Sequence, residues 1–160
     1  MTYIPILYGI MTTVFITYVA WIWARYGILS SISESYYKLP KNLKILFSLF
    51  CWGFAFPAAI IGNSLIMTLA GAGIIFVGAA AAFKENMSST VHKVGAISGV
   101  ILSQLAIGLQ YGMWEFNIAF VSIGVLLLIL AKLKKIKNVT WWLELLAFGS
   151  ICIVFGIVLL

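Results

Sequence analysis

All ten lysine and arginine residues of the chain fall into three clusters, and each cluster lies between apolar runs of roughly 20 residues. Arg25, Lys38, Lys41 and Lys44 surround the first connection between runs, Lys84 and Lys93 the third, and Lys132, Lys134, Lys135 and Lys137 the fifth. The second and fourth connections carry no basic residue. A helix that crosses the hydrocarbon core of a bilayer needs roughly 20 apolar residues, and basic residues accumulate on the cytoplasmic side. The alternation therefore predicts six spans, at residues 3–25, 43–61, 64–83, 91–110, 113–131 and 139–160, with both termini extracytoplasmic. An odd number of spans would break it.

Composition points the same way. With 64% hydrophobic and 9% charged residues, the chain carries more apolar surface than a soluble domain of its length can bury in one core. The expected fold is all-α: a polytopic bundle of six transmembrane helices forming a single domain over residues 1–160. Its expected place is a bacterial inner membrane or a host-cell cytoplasmic membrane. Residues 1–24 have no basic leading segment and no small-residue cleavage site, so the first run is expected to remain as a span. The net charge of +6 is accounted for by the positive-inside asymmetry, so membrane lipids are the expected partners and nucleic acid is not. Cys51 and Cys152 fall inside spans at different depths, and no bridge between them is expected.

The packing centre is expected between the third and fourth runs, where small residues crowd together. Gly95-x-x-x-Gly99-x-x-x-Ser103 places three small residues on one helix face, and Gly71, Gly78 and Ala82 offer a comparable surface on the preceding run. Such a face can meet the neighbouring helix or a second copy of the chain, which makes a homo-oligomer one reading. Pro57 is expected to kink the second span. Gly62-Asn63 and Tyr111-Gly112 read as tight turns closing helical hairpins. Between the first two spans, Ser31-x-x-Glu34 has capping-box spacing and predicts a short interfacial helix ended by Pro40, with Ile32, Tyr36 and Tyr37 facing lipid or protein.

Groups able to do chemistry are few. The sequence has no aspartate, one histidine, and four glutamates, Glu34, Glu85, Glu115 and Glu144. Glu144 lies about five residues inside the sixth span, where a charge is costly and normally faces a partner or a cavity. It either reaches back to a lysine or a backbone donor at the interface, or pairs with His92 or Lys93 at the same level. His92 reads as a structural hydrogen bonder or, facing Glu144 or the Ser33-Glu34 segment, as a proton-coupled switch or general base. Ser88, Ser89 and Thr90 read as N-caps of the fourth span, Glu115 as a helix-start acid, and Gln104 and Asn117 as cross-helix bonders or the lining of a polar path.

Several chemistries are excluded. No paired cysteines, histidine cluster or phosphate-binding glycine loop occurs, so no metal, cofactor or catalytic residue is assigned. Membrane hydrolases of the alkaline ceramidase type combine serine with histidine and aspartate around zinc, a set absent here, as is the potassium-filter sequence TVGYG.

Three fragments, Leu29-Ser30-Ser31-Ile32-Ser33-Glu34-Ser35-Tyr36-Tyr37, Phe76-Val77-Gly78-Ala79-Ala80, and Val91-His92 with Gly95-Ala96, together resemble a set of small uncharacterised multi-span proteins of bacteria and their phages. The resemblance covers roughly the middle third of the chain and implies no activity. It implies only that the serine-rich segment, the third span and His92 belong to one site. The expected function is a non-enzymatic membrane protein that binds or passes a small solute or ion, with Ser33, Glu34, His92 and Glu144 as a cytoplasmic gate or binding site. The alternatives are an enzyme acting on lipid head groups and an oligomerising membrane effector.

Overall fold

The computed structural model describes residues 3–80 and 85–159. Ala82 and Lys84, named above, lie outside the described residues. The elements in chain order are α1 (Tyr3–Tyr26), the single turn α2 (Ser35–Lys38), a 3-10 turn at Lys41–Leu43, α3 (Ile45–Gly62), α4 (Leu65–Ala80), α5 (Glu85–Tyr111), α6 (Trp114–Lys132) and α7 (Val139–Leu159). No strand occurs among the described residues.

Among the described residues, five helical stretches are long and apolar enough to cross a bilayer: Tyr3–Tyr26, Lys41–Gly62, Thr90–Tyr111, Trp114–Lys132 and Val139–Leu159. The architecture is compatible with a multi-pass membrane protein. The described part of α4 is apolar, and its 16 residues extend about 24 Å at ~1.5 Å per residue.

α4 lies between α3 and α5 and packs on both through small residues. On one side the backbones touch α5: a methyl group placed on Gly73 would lie 2.7 Å from the Gly95 carbonyl oxygen, and one on Gly95 2.6 Å from the Gly73 carbonyl oxygen. Gly99 meets Ile74 and the Ala70 carbonyl on the same side. Gly71 and Gly78, expected to face the next span, instead face α3. A methyl on Gly71 would lie 3.1 Å from the Ala55 carbonyl oxygen, and one on Gly78 2.8 Å from Cys51 Cβ. The reason is helical geometry: Gly71 and Gly78 are two turns apart and share a stripe, whereas Gly73 is rotated about 200° from Gly71, onto the opposite face.

The turn between α3 and α4 has the chemistry its sequence implies. Asn63 adopts the left-handed region at φ 42° and caps α3 with its N–H on the Ala59 carbonyl, and Ser64 Oγ accepts the Met67 N–H at 3.2 Å to start α4. The Gln110 side-chain amide donates to the Gly62 carbonyl, tying the ends of α3 and α5 together. Pro57 sits buried inside α3.

α5 is described from Glu85, so the helix already runs through residues 88–90 rather than beginning near residue 91. α1 closes on α3 and α7 through aromatic contacts: Tyr18 stacks on Phe50 at 4.4 Å, and Phe15 stacks on Phe148 at 5.7 Å. α6 stands at the periphery, with Asn117 as its one buried residue.

Candidate functional site: a carboxylate latch over a small cavity

The site is organised by the connection between α1 and α3, at the end of the bundle that carries the lysine clusters. Gly27, at φ +73°, turns the chain out of α1 with its N–H still on the Trp23 carbonyl. The expected capping box is present in displaced form. Ser31 Oγ accepts the Glu34 N–H at 3.0 Å, but the Glu34 carboxylate reaches back to the N–H of Ser30 rather than that of Ser31, at 2.7 Å. The same carboxylate meets Lys38 Nζ at 3.3 Å. Hydrogen bonding from Ser30, side chain and backbone, with a smaller contribution from Lys38, holds the Glu34 carboxyl below the usual carboxylate range. Glu34 thus serves the surface of the connection and does not line the cavity beneath it.

Beneath the surface the connection dips into the bundle. The Ile32 side chain is 1% exposed, so of the three side chains predicted to face lipid or protein, this one is core, while Tyr37 is exposed. Burying Ile32 draws its backbone N–H inward, where it donates to Glu144 Oε2. Ser33 Oγ donates to the other carboxylate oxygen, Glu144 Oε1, at 3.3 Å. One carboxylate in the second turn of α7 therefore holds two successive residues of the connection. Charge-assisted bonds of this kind are roughly twice as strong as neutral ones.

Glu144 and Ser33 also form part of the wall of a cavity of about 60 Å³, enclosed by the connection, α3, α4, α5 and α7. Its polar lining is Ser33, Cys51, His92, Ser103 and Glu144, and the rest is apolar. The volume holds a few water molecules. Of the four residues expected to make a site, Ser33, His92 and Glu144 share this cavity and Glu34 stands outside it. No described hydrogen bond joins His92 to Glu144, though both line the cavity. Among the described residues the ion pair is Lys38 with Glu34, so the partners of the Glu144 carboxylate are neutral donors. No described group of three histidine, cysteine, aspartate or glutamate side chains could hold a metal ion. Gly95, Gly99 and Ser103 form the α5 stripe, with Gly99 and Ser103 on the cavity wall.

The sequence reading missed two features. Cys51, a free thiol, lines the cavity; its only sequence signal was its position within a span. The second is a buried pair behind the connection: Tyr18 Oη and Ser35 Oγ lie 2.7 Å apart, with Ser35 fully buried. This bond fixes α2 to α1. Tyr18→Phe should cost about 1–3 kcal/mol because it strands the serine hydroxyl, and adding Ser35→Ala should recover much of that loss. Denaturant unfolding of both single variants and the double variant measures the coupling; strictly additive losses would show the bond to be unimportant.

No family model, curated protein or solved structure matches the chain.

Proposed function

We propose that the chain is a six-span membrane protein, with both termini extracytoplasmic, that binds and passes a small solute or ion through a site at its cytoplasmic face. Ser33, His92 and Glu144 line the site, and Glu34 shapes the connection above it. The observation that carries this reading is the position of the Glu144 carboxylate, which bonds the connection on one side and lines the cavity on the other.

An ionisable side chain inside a span is costly and usually marks a pathway or binding site. Here the carboxylate has two competing uses. While it holds Ile32 and Ser33, the connection covers the cavity. A cation, or a solute offering its own donors, can replace those two bonds, free the segment and open the cavity to the cytoplasm. The Glu144 latch is thus gate and recognition element at once, and His92, also on the cavity wall, supplies a second polar contact.

The test is flux into proteoliposomes with and without Glu144→Gln. Glutamine can accept the Ile32 N–H through its carbonyl and donate to Ser33 Oγ through its amide, so the fold is expected to survive while the charge is lost. Flux of a cationic permeant should fall by tenfold or more, on the order of one lost charge-assisted interaction. Unchanged flux would remove Glu144 from the mechanism.

An enzyme acting on lipid head groups finds support in the 3.3 Å approach of Ser33 Oγ to Glu144, but the cavity is far smaller than a head group and its chain. Ser33→Ala discriminates, because it abolishes hydrolysis in an enzyme and only retunes a gate. The oligomerising effector relied on an exposed glycine face. Gly95 and Gly99 pack against α4 of the same chain, so Gly99→Leu is expected to disturb that contact before any contact with a second copy.

A further inference from the structure

We infer that α5, α6 and α7 hold a second binding station, formed by Gln104, Asn117 and Ser150, for a small neutral hydrogen-bond donor: water, or the N–H end of an uncharged solute. It deepens the transport reading, from which it takes the direction of passage, but its occupancy by water does not depend on that reading.

The station lies toward the end of the bundle away from the lysine clusters, since Asn117 is in the first turn of α6 and Gln104 is two turns before the end of α5. Three hydrogen bonds define it. Asn117 Nδ2 donates to the Gln104 backbone carbonyl at 2.9 Å, Gln104 Nε2 donates to Ser150 Oγ at 2.9 Å, and Ser150 Oγ donates to the Ala147 carbonyl at 2.8 Å. These use one N–H of each amide and the serine hydroxyl. They leave Gln104 Oε1 and Asn117 Oδ1 buried and without a partner among the described residues.

Two unpaired carbonyl oxygens in apolar surroundings are expensive, and buried polar groups are as a rule satisfied by protein or by bound water. Turning the Gln104 amide over only exchanges an orphaned oxygen for an orphaned NH2. Turning Asn117 over sets its oxygen against the Gln104 carbonyl. Asn117, 9% exposed, is moreover the one buried residue of α6. Packing alone would be served by leucine there; the amide ties α6 to α5 through its NH2 and leaves its oxygen for a polar ligand.

The chemistry of the ligand follows from the atoms present. No carboxylate or ammonium belongs to the station, and only two of its oxygens are unpaired, fewer than the six or so that a dehydrated hard cation takes. A neutral donor, in contrast, satisfies both orphaned carbonyls without importing charge. The station and the first site lie at neighbouring depths. The cavity wall includes Ser103 and Ile151, the chain neighbours of Gln104 and Ser150, so the station begins at the depth the cavity reaches.

The decisive measurement uses the full-length wild-type protein in lipid bilayers: water-edited solid-state NMR of the Gln104 and Asn117 side-chain amides, with Asn117→Leu assigning the Asn117 signal. Water magnetisation is expected to reach both amides as fast as it reaches the Ser33 segment. In parallel, stopped-flow vesicle assays follow water efflux under a sucrose gradient and urea entry under a urea gradient, and Asn117→Leu is expected to lower the conducted one about tenfold, the scale of one buried hydrogen bond. Hydrated amides with neither flux above protein-free vesicles would uphold a water station and count against transport. Dry amides with urea flux that Asn117→Leu abolishes would uphold the station with the solute as its occupant. Transfer as slow as to the lipid-facing Ile129 methyls, with no flux that Asn117→Leu changes, overturns the proposal.

Discussion

Gly95→Leu is expected to leave little folded protein, and Gly73→Leu likewise, whereas Gly9→Ala and Gly149→Ala should keep wild-type yield and thermal stability. The contrast comes from what each new Cβ would meet. At Gly95 and Gly73 it would lie 2.6 and 2.7 Å from a carbonyl oxygen of the opposing backbone, while at Gly9 and Gly149 nothing lies within 4 Å. Overpacking a well-filled interior usually costs about 1–3 kcal/mol, when side chains can shift. Here the obstacle is main chain on both helices, so relief requires separating α4 from α5 along their length. Membrane helices associate by close contact of small residues rather than by a hydrophobic force, and every contact along the seam weakens together. Gly99 supplies the intermediate case. Its Cβ would meet the flexible Ile74 side chain at 3.0 Å, so Gly99→Ala should lower stability less than Gly95→Ala. Gly9→Ala in α1 should be neutral or stabilising by up to about 1 kcal/mol, since alanine loses less backbone entropy in a helix. Thermal unfolding midpoints of the purified variants rank the series, and a Gly95→Leu midpoint equal to that of the wild type would refute the backbone-to-backbone seam.

That seam also shows what could and could not be read from the chain. Gly95, Gly99 and Ser103 recur every four residues, which places them on one face whatever they touch. The opposing residues were another matter, because α4 has glycines on two faces and periodicity ranks neither. Gly71 and Gly78 form the more regular stripe, yet it is Gly73, with no glycine one turn away, that meets α5. The turn at Asn63-Ser64 was legible because local chemistry settles it: a left-handed cap followed by an N-cap hydroxyl needs no distant partner. For Glu144, the cost of a buried charge implied a partner, and a backbone donor was one of the two expected kinds. Ile32 as that donor was not legible, since a backbone N–H has no sequence signature and the residue is 112 positions away. Tyr18 and Ser35 were hidden for a similar reason: each is ordinary in its own segment, and only the folding back of the connection onto α1 brings them together.

The same distant bond makes the second large effect. In Glu144→Leu the amide proton of Ile32 is expected to exchange with solvent roughly 10 to 100 times faster than in the wild type, and in Glu144→Gln only slightly faster. A backbone N–H bonded to a carboxylate is worth about 1.5–3 kcal/mol, which is about one to two decades in an opening equilibrium. Leucine matches the volume but accepts nothing, so the buried N–H must either remain unpaired or move to water. Moving to water means lifting the Ile32 side chain, 1% exposed, out of the core, and Ser33 leaves the cavity wall with it. The opening should stay local. The bonds of Glu34 to Ser30 and Lys38 lie on the outer side of the connection, and Tyr18 still holds Ser35, so exchange at Leu39 and beyond is expected to be unaffected. Hydrogen exchange read by mass spectrometry over residues 28–34 separates the outcomes. Slow exchange there in Glu144→Leu would mean that the connection is held by burial of Ile32 alone and that the carboxylate is not its latch. Fast exchange confined to this segment would identify the carboxylate as the latch of the connection.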